Sequence, residues 1–253
     1  SAPIQIIPTS WAFFSIILIW SGIAVLITLF HNVFYGIDSY LQNILVICGI
    51  FSVISGVIGS NSKTNIRQLF SCVGTFNLGI ILLVLSQFSQ SSLQSGIIYL
   101  LVYIISIFGI YTCFYLLIYH GEYIQHIDLL SGMSSIKPYI SSALLFFTIS
   151  FLGVPPLLGM LGNLSMINNF LSQERYFLIA FIFFMLAWFA HGMLRIIKIV
   201  FFDKKNHNFD RADKGVYLGL MINIVLMLAI VIKPRYLISD IETITRLFLV
   251  QVQ

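Results

Sequence analysis

Long apolar runs dominate this sequence. They cover residues 11–30, 41–59, 69–88, 96–119, 139–154, 155–171, 176–202 and 216–232, in a chain that is 59% hydrophobic and 9% charged. A helix needs about 20 mainly apolar residues to cross the roughly 30 Å hydrocarbon core of a membrane. The eight runs therefore predict an all-α, polytopic transmembrane helix bundle and exclude an ordinary water-soluble domain, which carries about 25% charged residues.

Most of the charged side chains lie between these runs or at their ends. This placement is expected because an unpaired charge in hydrocarbon is costly. If every run is a separate crossing, the 13 Lys and Arg residues divide almost evenly between the two sides, and no orientation follows from the positive-inside rule. The formal net charge of +4 is spread over loops, so no nucleic-acid surface is predicted.

The chain divides into a transmembrane bundle, residues 1–234, and a short C-terminal segment, residues 235–253. In that segment apolar residues recur at helical spacing, and charged residues lie opposite them. The apolar set is Leu237, Ile241, Ile244, Leu247 and Phe248, and the charged set is Asp240, Glu242 and Arg246. The pattern predicts an amphipathic helix on the membrane surface or against a neighbouring subunit.

Small residues follow one stripe in each of the second and third runs. Ser52 and Gly56 stand four residues apart, and Gly74 and Gly79 lie in the next run. Transmembrane helices associate through such residues, since lipid tails are as apolar as leucine and close packing replaces the hydrophobic effect. Both helices are expected to be buried in the bundle.

No residue pattern indicates a catalytic, metal or cofactor site. Cys48, Cys72 and Cys113 occur singly, without the spacing of a metal site, and are interpreted as packing residues. The chain has no glycine-rich dinucleotide loop, P-loop, HExxH or nucleophile elbow. Any electron chemistry must therefore belong to partner proteins.

The run ISFLGVPPLLGMLGNLSM, residues 149–166, contains a helix break. Pro155 and Pro156 lack a backbone donor and disfavour helix in the preceding residue, so one helix should end at Val154 and the next begin at Pro155. Interrupted helices occur inside membranes only where protein or a water-filled cavity satisfies the freed backbone groups. The break suggests an ion or proton site near the midplane, and a plain loop between two short tilted helices is the alternative.

Several motifs resemble one family in order and spacing. SFLGVPPLLGMLGN (150–163) is similar to the proline signature of the antiporter-like membrane subunits of respiratory complex I, most closely subunit 2. NIRQLFSCVGTFNLG (65–79), IIYLLVYIISIFGIY (97–111), HIDLLSGMSSIKPYIS (126–141) and LRIIKIVFFD (194–203) resemble four further motifs of that family, and APIQIIPTS (2–10) does so faintly.

The resemblance implies an antiporter-like fold with a proline-broken helix, in a membrane-arm subunit of an enzyme that couples NADH oxidation by ubiquinone to proton translocation. Such subunits have about fourteen helices, and this chain would supply the last eight, so a split subunit is expected, with a separate chain providing the front helices. A chain that starts at Ser1 is either processed or part of something longer. The implied partners are other membrane-arm subunits and lipids, in the mitochondrial inner membrane or alternatively a bacterial plasma membrane.

The family's proton path uses lysines inside the membrane. At the positions of this sequence that align with those lysines, other residues stand. One lysine aligns near Leu18, Ile19 or Trp20, a second with Arg67, and a third, in the proline signature, with Asn163; a family histidine aligns with Asn77. Burial lowers a lysine's pKa so that it can load and release a proton. An arginine stays charged and an amide stays neutral.

The remaining polar candidates for a proton path lie in the run 176–202. They are His191, Arg195 and Lys198, and the last two, with Lys204 and Lys205, are also expected to contact anionic lipids. His191 is either a relay or a hydrogen-bonding spacer, and Asn163 is either part of a water chain or a cap for the broken helix. Two readings of function follow: a module with reduced or lost pumping, or an active one with rewired residues. A cation/proton antiporter subunit of the Mrp type is the alternative outside complex I.

Overall fold

The computed structural model describes residues 38–119, 122–203 and 214–250. The helices in these ranges are α1 (Asp38–Ser62), α2 (Ile66–Leu85), α3 (Gln90–Tyr115), α4 (Met133–Ile136), α5 (Pro138–Phe151), α6 (Gly159–Ser172), α7 (Tyr176–Phe202), α8 (Lys214–Ile232) and α9 (Pro234–Val250). A hairpin of two short antiparallel strands, β1 (Ile118–Tyr119) and β2 (Glu122–Tyr123), and a 3₁₀ helix at Ile127–Leu130 follow α3. The described chain is therefore an α-helical bundle, as the sequence predicts.

Four of these helices are long and apolar enough to cross a membrane. They span Tyr40–Ser62, Ile66–Leu85, Gln90–Tyr115 and Tyr176–Phe202, within α1, α2, α3 and α7. A bent pair, Tyr217–Ile232 with Leu237–Thr243, would make a fifth. The predicted crossing at residues 11–30 lies outside the described residues.

Close contact between α1 and α2 depends on glycine. A methyl group added at Gly56 would lie 2.6 Å from the backbone nitrogen of Phe76, and one added at Gly79 would lie 2.7 Å from that of Val53. Ser52 Oγ also donates to the carbonyl of Thr75 over 2.9 Å. The small-residue stripes therefore face each other across this helix pair. Helix α2 is mostly buried, as predicted, whereas α1 is buried only along its stripe and leaves Ile44, Phe51 and Ile58 exposed on its other side, which corrects the prediction for α1.

The starts of α2 and α3 follow from local capping. Asn65 precedes α2, and its side chain accepts a hydrogen bond from the backbone of Arg67. Ser89 precedes α3, and Ser89 and Ser92 form a reciprocal capping box. Such caps satisfy backbone donors that the first turn of a helix leaves without partners.

The two proline-flanked helices pack in succession along α3. Phe147 of α5 lies against Gly109, and the ring of Phe151 is 5.8 Å from that of Tyr103. Further along, Gly162 of α6 faces Tyr99 and Val102, and Asn169 accepts a hydrogen bond from Ser91 over 3.0 Å. Helices α5 and α6 thus run antiparallel to α3, with α5 beside its end and α6 beside its start.

This arrangement corrects two sequence predictions. The runs 139–154 and 155–171 are not two crossings: each helix has 14 residues, about 21 Å at 1.5 Å per residue, and together they run the length of α3 as one broken crossing. The break is also wider than expected. Helix α5 ends at Phe151 and α6 begins at Gly159, so Val154, Pro155 and Pro156 all lie in the connection.

Contacts between loops identify the two ends of the bundle. At one end, Ile127 N donates to Thr64 O over 3.0 Å, and Gly132 N donates to Ile199 O near the end of α7. At the other end, Gln94 near the start of α3 donates to Thr245 of α9 over 3.3 Å. The C-terminal ends of α1, α3 and α7 therefore meet at one end of the bundle. The C-terminal ends of α6 and α8 and the start of α3 lie at the other end.

Helix α9 turns away from α8 by 80° and packs against α3. Ile241 and Thr245 are buried, whereas Arg235, Asp240 and Thr243 are exposed. The described part of the C-terminal segment thus has one buried face and one polar face.

Candidate functional site

The broken crossing is the first candidate site, and glycine makes its geometry possible. Gly153 has φ +80°, a left-handed conformation that side chains with a Cβ rarely adopt. A Cβ at Gly159 would lie 1.7 Å from the carbonyl oxygen of Ser150, so this glycine lets the start of α6 touch the end of α5. The Pro155–Pro156 peptide is cis, and both prolines are exposed.

Asn163 closes the break from the α6 side. Its Nδ2 lies 3.4 Å from the carbonyl oxygen of Leu152, one of the carbonyls that the end of α5 leaves without a helical partner. A Cβ at Gly153 would meet this Nδ2 at 2.0 Å, so the amide lies directly against the turn. Asn163 is half-buried, and its neighbour Gly162 packs on Tyr99 near the middle of α3.

Asn77 lies one helix away and forms a hydrogen bond at each end of its amide. Its Nδ2 donates to the carbonyl of Val73 over 2.8 Å, and its Oδ1 accepts from the hydroxyl of Tyr99 over 2.9 Å. Asn77 and Tyr99 are both buried. Tyr99 therefore bonds Asn77 and also packs against Gly162 in the first turn of α6, the residue before Asn163.

A second polar cluster joins the end of α1 to α7. His191 Nδ1 lies 2.8 Å from Asn61 Oδ1, and Asn61 Nδ2 donates to the carbonyls of Val57 and Trp188. A Cβ at Gly192 would lie 3.2 Å from the Ser60 carbonyl oxygen, so this glycine lets α7 approach α1 closely.

Arg195 binds the end of α1 in the same cluster. Its guanidinium donates to the carbonyl of Asn61 over 2.9 Å and to the carbonyl of Lys63. A cation at the C-terminus of a helix is favourable because the last carbonyls carry partial negative charge. The Nε of Arg195 is buried and has no hydrogen-bond partner among the residues that the structure describes. Arg195 therefore acts as a side-chain cap that joins two helices.

The other two sequence-predicted candidates lie apart from these clusters. Arg67 is exposed in the first turn of α2, at the same bundle end as Lys63. Lys198 is exposed on α7, about one turn beyond Arg195. The structure therefore brings His191 and Arg195 together around Asn61, whereas no contact joins Asn77 to Asn163 in the described residues; Tyr99 bonds the first and packs on Gly162, the neighbour of the second.

Both clusters lack metal-binding character in the part of the chain that the structure describes. No group of three or more His, Cys, Asp or Glu side chains in that part could hold a metal ion. The side chains at the break offer amide and hydroxyl dipoles, which orient water or cap a helix but do not carry a proton by titration.

Sequence reasoning missed Asn61 and Tyr99. Asn61 stands in a run of small polar residues, GSNS, at the predicted end of a crossing, where a helix end needs partners for its carbonyls. Tyr99 carried a weaker signal, because a tyrosine in an apolar run is ordinarily a core residue. Its importance depends on Asn77 22 residues earlier.

Comparisons with known proteins point to one family. The family of NADH:quinone oxidoreductase and Mrp antiporter transmembrane proteins matches residues 7–190. NADH-quinone oxidoreductase subunit N of Pelagibacter ubique is 29% identical over 234 residues, which cover 92% of this chain and 50% of that protein. The chain spans about half the length of the curated relatives it matches.

Two solved structures have the same fold. The Mrp complex of a Dietzia species contains a chain that aligns with a TM-score of 0.81 at 18% identity, covering 94% of this chain and 53% of that one. A chain of respiratory complex I from Thermus thermophilus aligns with a TM-score of 0.65 at 19% identity, covering 78% and 45%.

Proposed function

The chain belongs to the NADH:quinone oxidoreductase/Mrp antiporter family of transmembrane proteins, and from this premise we propose that it is a membrane-arm subunit of respiratory complex I. In this role it forms the rear part of an antiporter-like module in an NADH:ubiquinone oxidoreductase. The similarity to subunit N of bacterial NADH-quinone oxidoreductases supports this choice within the family.

One observation carries the mechanistic part of the proposal: the amide of Asn163 occupies the helix break. Its Nδ2 is bonded to the Leu152 carbonyl and pressed against Gly153, so the side chain is used in closing the break. An amide has no proton to release near neutral pH. The module therefore holds the break together without a titrating carrier at that position.

We propose reduced or lost pumping for this module on the same basis. Asn77 has both ends of its amide engaged, and Arg67 stands in the first turn of α2 rather than in the middle of a span. The residues aligned with family proton carriers are thus neutral or peripheral. The bundle would keep neighbouring subunits in register while other modules move protons.

We also propose that a separate polypeptide supplies the front helices of the module. The chain spans about half the length of its relatives. Its membrane would be an energy-coupling one, the mitochondrial inner membrane or alternatively a bacterial plasma membrane. Lipids would surround the exposed apolar faces of α1, α7 and α8.

The test is purification through an affinity tag on this chain from its native membrane. The proposal expects an assembly with NADH:quinone activity that also contains a separate chain with about six transmembrane helices, the number missing from a family-length subunit. Recovery of the chain without any NADH-oxidising partner would refute the assignment to complex I. A proton-to-electron ratio equal to that of enzymes with all the family lysines would refute reduced pumping.

A Mrp-type antiporter subunit is the second candidate, favoured by the extent of the alignment with a chain of the Dietzia Mrp complex. An antiporter needs an ionisable site at which two cations compete, and the break contains Asn163 instead. Reconstitution of the purified chain in liposomes distinguishes the two: sodium-driven proton movement by the chain alone would favour the antiporter.

A further inference from the structure

The start of α6 is capped from across the break. Leu158 precedes the helix, and a leucine side chain cannot accept a hydrogen bond from the first backbone donors as an ordinary N-cap residue does. Ser150, in the last turn of α5, supplies the acceptor instead, because its Oγ lies 3.4 Å from the backbone nitrogen of Gly159. Ser150 is fully buried, so its hydroxyl has to find its partners within the protein.

The end of α5 is capped in the reverse direction. Its last carbonyls lack partners within the helix, and Asn163 Nδ2 donates to the carbonyl oxygen of Leu152 over 3.4 Å. Leu152 is the C-cap residue of α5, and Asn163 belongs to α6, one turn after its first residue. Each half of the broken crossing thus supplies a side chain that the backbone of the other half needs.

The two bonds join the same two helix surfaces at two points. Gly159 and Asn163 are four residues apart on one face of α6, about 6 Å along its axis at 1.5 Å per residue. A Cβ at Gly159 would lie 2.8 Å from Gly153 Cα, and a Cβ at Gly153 would lie 2.0 Å from Asn163 Nδ2, so the surfaces are in direct contact. A single bond would act as a pivot, whereas two bonds on one face stop α6 from turning against α5.

Each of the two bonds is weak by itself. A distance of 3.4 Å is longer than the range of about 2.7–3.2 Å that N–H···O bonds usually have. An interrupted helix inside a membrane is tolerated where protein or a water-filled cavity satisfies the freed backbone groups. For the Gly159 N–H and the Leu152 carbonyl, protein side chains fill this role.

We infer that Ser150 is a positioning residue, which forms a reciprocal clasp with Asn163 across the break and makes α5 and α6 move as one rigid crossing. The clasp consists of Ser150 Oγ with the Gly159 N–H, and of Asn163 Nδ2 with the Leu152 carbonyl. Ser150 acts by fixing the start of α6, which keeps Asn163 against Leu152. The interruption of a helix is otherwise a place for a hinge, and the clasp removes that hinge whichever complex the chain joins.

Hydrogen–deuterium exchange tests the clasp in the assembly purified from the native membrane. Electron-transfer fragmentation of peptides that cover residues 150–165 resolves the exchange of single amides. In the wild type the Gly159 amide should be protected, since the Ser150 hydroxyl accepts its hydrogen. Exchange of that amide as fast as in an unfolded peptide would overturn the inference, and this measurement requires no variant.

Ser150→Ala removes the acceptor of the Gly159 hydrogen. Exchange of the Gly159 amide should then rise roughly fivefold, equivalent to about 1 kcal/mol. Ser150→Thr keeps a hydroxyl and should protect this amide better than Ser150→Ala does. Equal exchange in the two variants would mean that the hydroxyl has no role, which overturns the inference.

Asn163→Ala distinguishes a clasp from two independent caps. Asn163 does not bond Gly159, yet its loss should speed exchange of the Gly159 amide, because the pivot that remains lets α6 turn. The double variant should exchange about as fast as the faster single variant. Normal protection of Gly159 in Asn163→Ala, or a double variant whose effect is the product of the two single effects, would show independent caps and overturn the clasp.

Two exposed polar residues on the same helices provide matched controls. Ser142 on α5 and Asn168 on α6 lie outside the break. Ser142→Ala and Asn168→Ala should leave exchange of the Gly159 amide at the wild-type rate. An increase in these variants equal to that of Ser150→Ala would mean that any polar loss loosens the helices, and the inference would then fail. If Ser150→Ala does not assemble, the wild-type protection and Asn163→Ala still decide.

Discussion

The guanidinium of Arg195 on α7 donates a hydrogen bond to the backbone carbonyl of Lys63, just beyond the last residue of α1. Two helix ends can share such a bond only at the same end of a bundle. Eight separate crossings would put Lys63 and Arg195 on opposite sides of the membrane. The bond therefore requires that α5 and α6 together count as one crossing.

With one crossing fewer, the positive charges divide differently between the two sides of the membrane than eight crossings would divide them. Among the residues that the structure describes, six Lys and Arg residues lie toward the end where α1 meets α7, and four toward the other. The first group is Lys63, Arg67, Lys137, Arg195, Lys198 and Lys214, and the second is Arg175, Lys233, Arg235 and Arg246. The positive-inside rule then predicts that the first end faces the cytoplasm, or the matrix in a mitochondrion.

Cysteine labelling tests both statements. Gln125 and Gln173 are exposed and precede and follow the broken crossing. With Cys48, Cys72 and Cys113 replaced, Gln125→Cys should react with a membrane-impermeant maleimide only from the cytoplasmic or matrix side, and Gln173→Cys only from the opposite side. Labelling of both from one side would restore the count of eight crossings.

Arg195→Ala should loosen α7 from α1. The variant loses two hydrogen bonds to carbonyls at the end of α1, and bonds from a charged donor are worth more than neutral ones. We expect a loss of about 1–3 kcal/mol in stability, measured as a lower melting temperature of the purified assembly. Lys198→Ala, on an exposed residue about one turn further along α7, is the control and should melt like the wild type.

Gly56→Ala should separate α1 from α2. The new methyl would meet backbone atoms of Phe76 at 2.6–2.7 Å, and backbone cannot turn aside as a side chain can. Gly219→Ala in α8 is the matched control, because no atom of the described residues lies within 4 Å of its added Cβ. Chain abundance in the membrane and resistance to protease should fall for the first variant only; equal behaviour would contradict the packing described here.

Tyr99→Phe should destabilise the bundle by leaving Asn77 Oδ1 buried without a donor, at a cost of about 1–3 kcal/mol. Tyr103→Phe, one turn away on α3 and equally buried, is the control, since no described residue shares a hydrogen bond with its hydroxyl. Adding Asn77→Leu to Tyr99→Phe should recover part of the loss, because both polar groups are then removed. Thermal melting of the wild type, Tyr99→Phe, Asn77→Leu and the double variant forms a double-mutant cycle, and simple additivity of the two losses would argue against the pair.

The variant Asn163→Ala tests whether the amide of Asn163 caps the broken helix or takes part in proton transfer. If the amide only closes the break, the variant should lower the melting temperature modestly through loss of the Leu152 bond, while the proton-to-electron ratio of the assembly stays unchanged. A lower ratio with unchanged NADH oxidation would instead make Asn163 part of a water chain. Asn168→Ala, an exposed amide on the same helix, controls for loss of an amide in general.

Much of the fold could be predicted from local sequence. The positions of α1, α2, α3, α7 and α8 follow from contiguous apolar runs. The break follows from two prolines, whose effect on the backbone depends on adjacent residues. The width of the break was not predictable, because the seven residues between α5 and α6 are shaped by Gly153 and Gly159 fitting against Asn163 and Ser150.

What the sequence by itself determined is therefore the set of helices, their apolar character and the place where one is interrupted. The tertiary structure decided that two apolar runs form a single crossing, that the ends of α1 and α7 meet, and that His191 lies within hydrogen-bond distance of Asn61. These facts rest on bonds between residues 130 and 134 positions apart. Contacts of that kind depend on how helices are arranged in space, which hydrophobic periodicity and proline chemistry leave open.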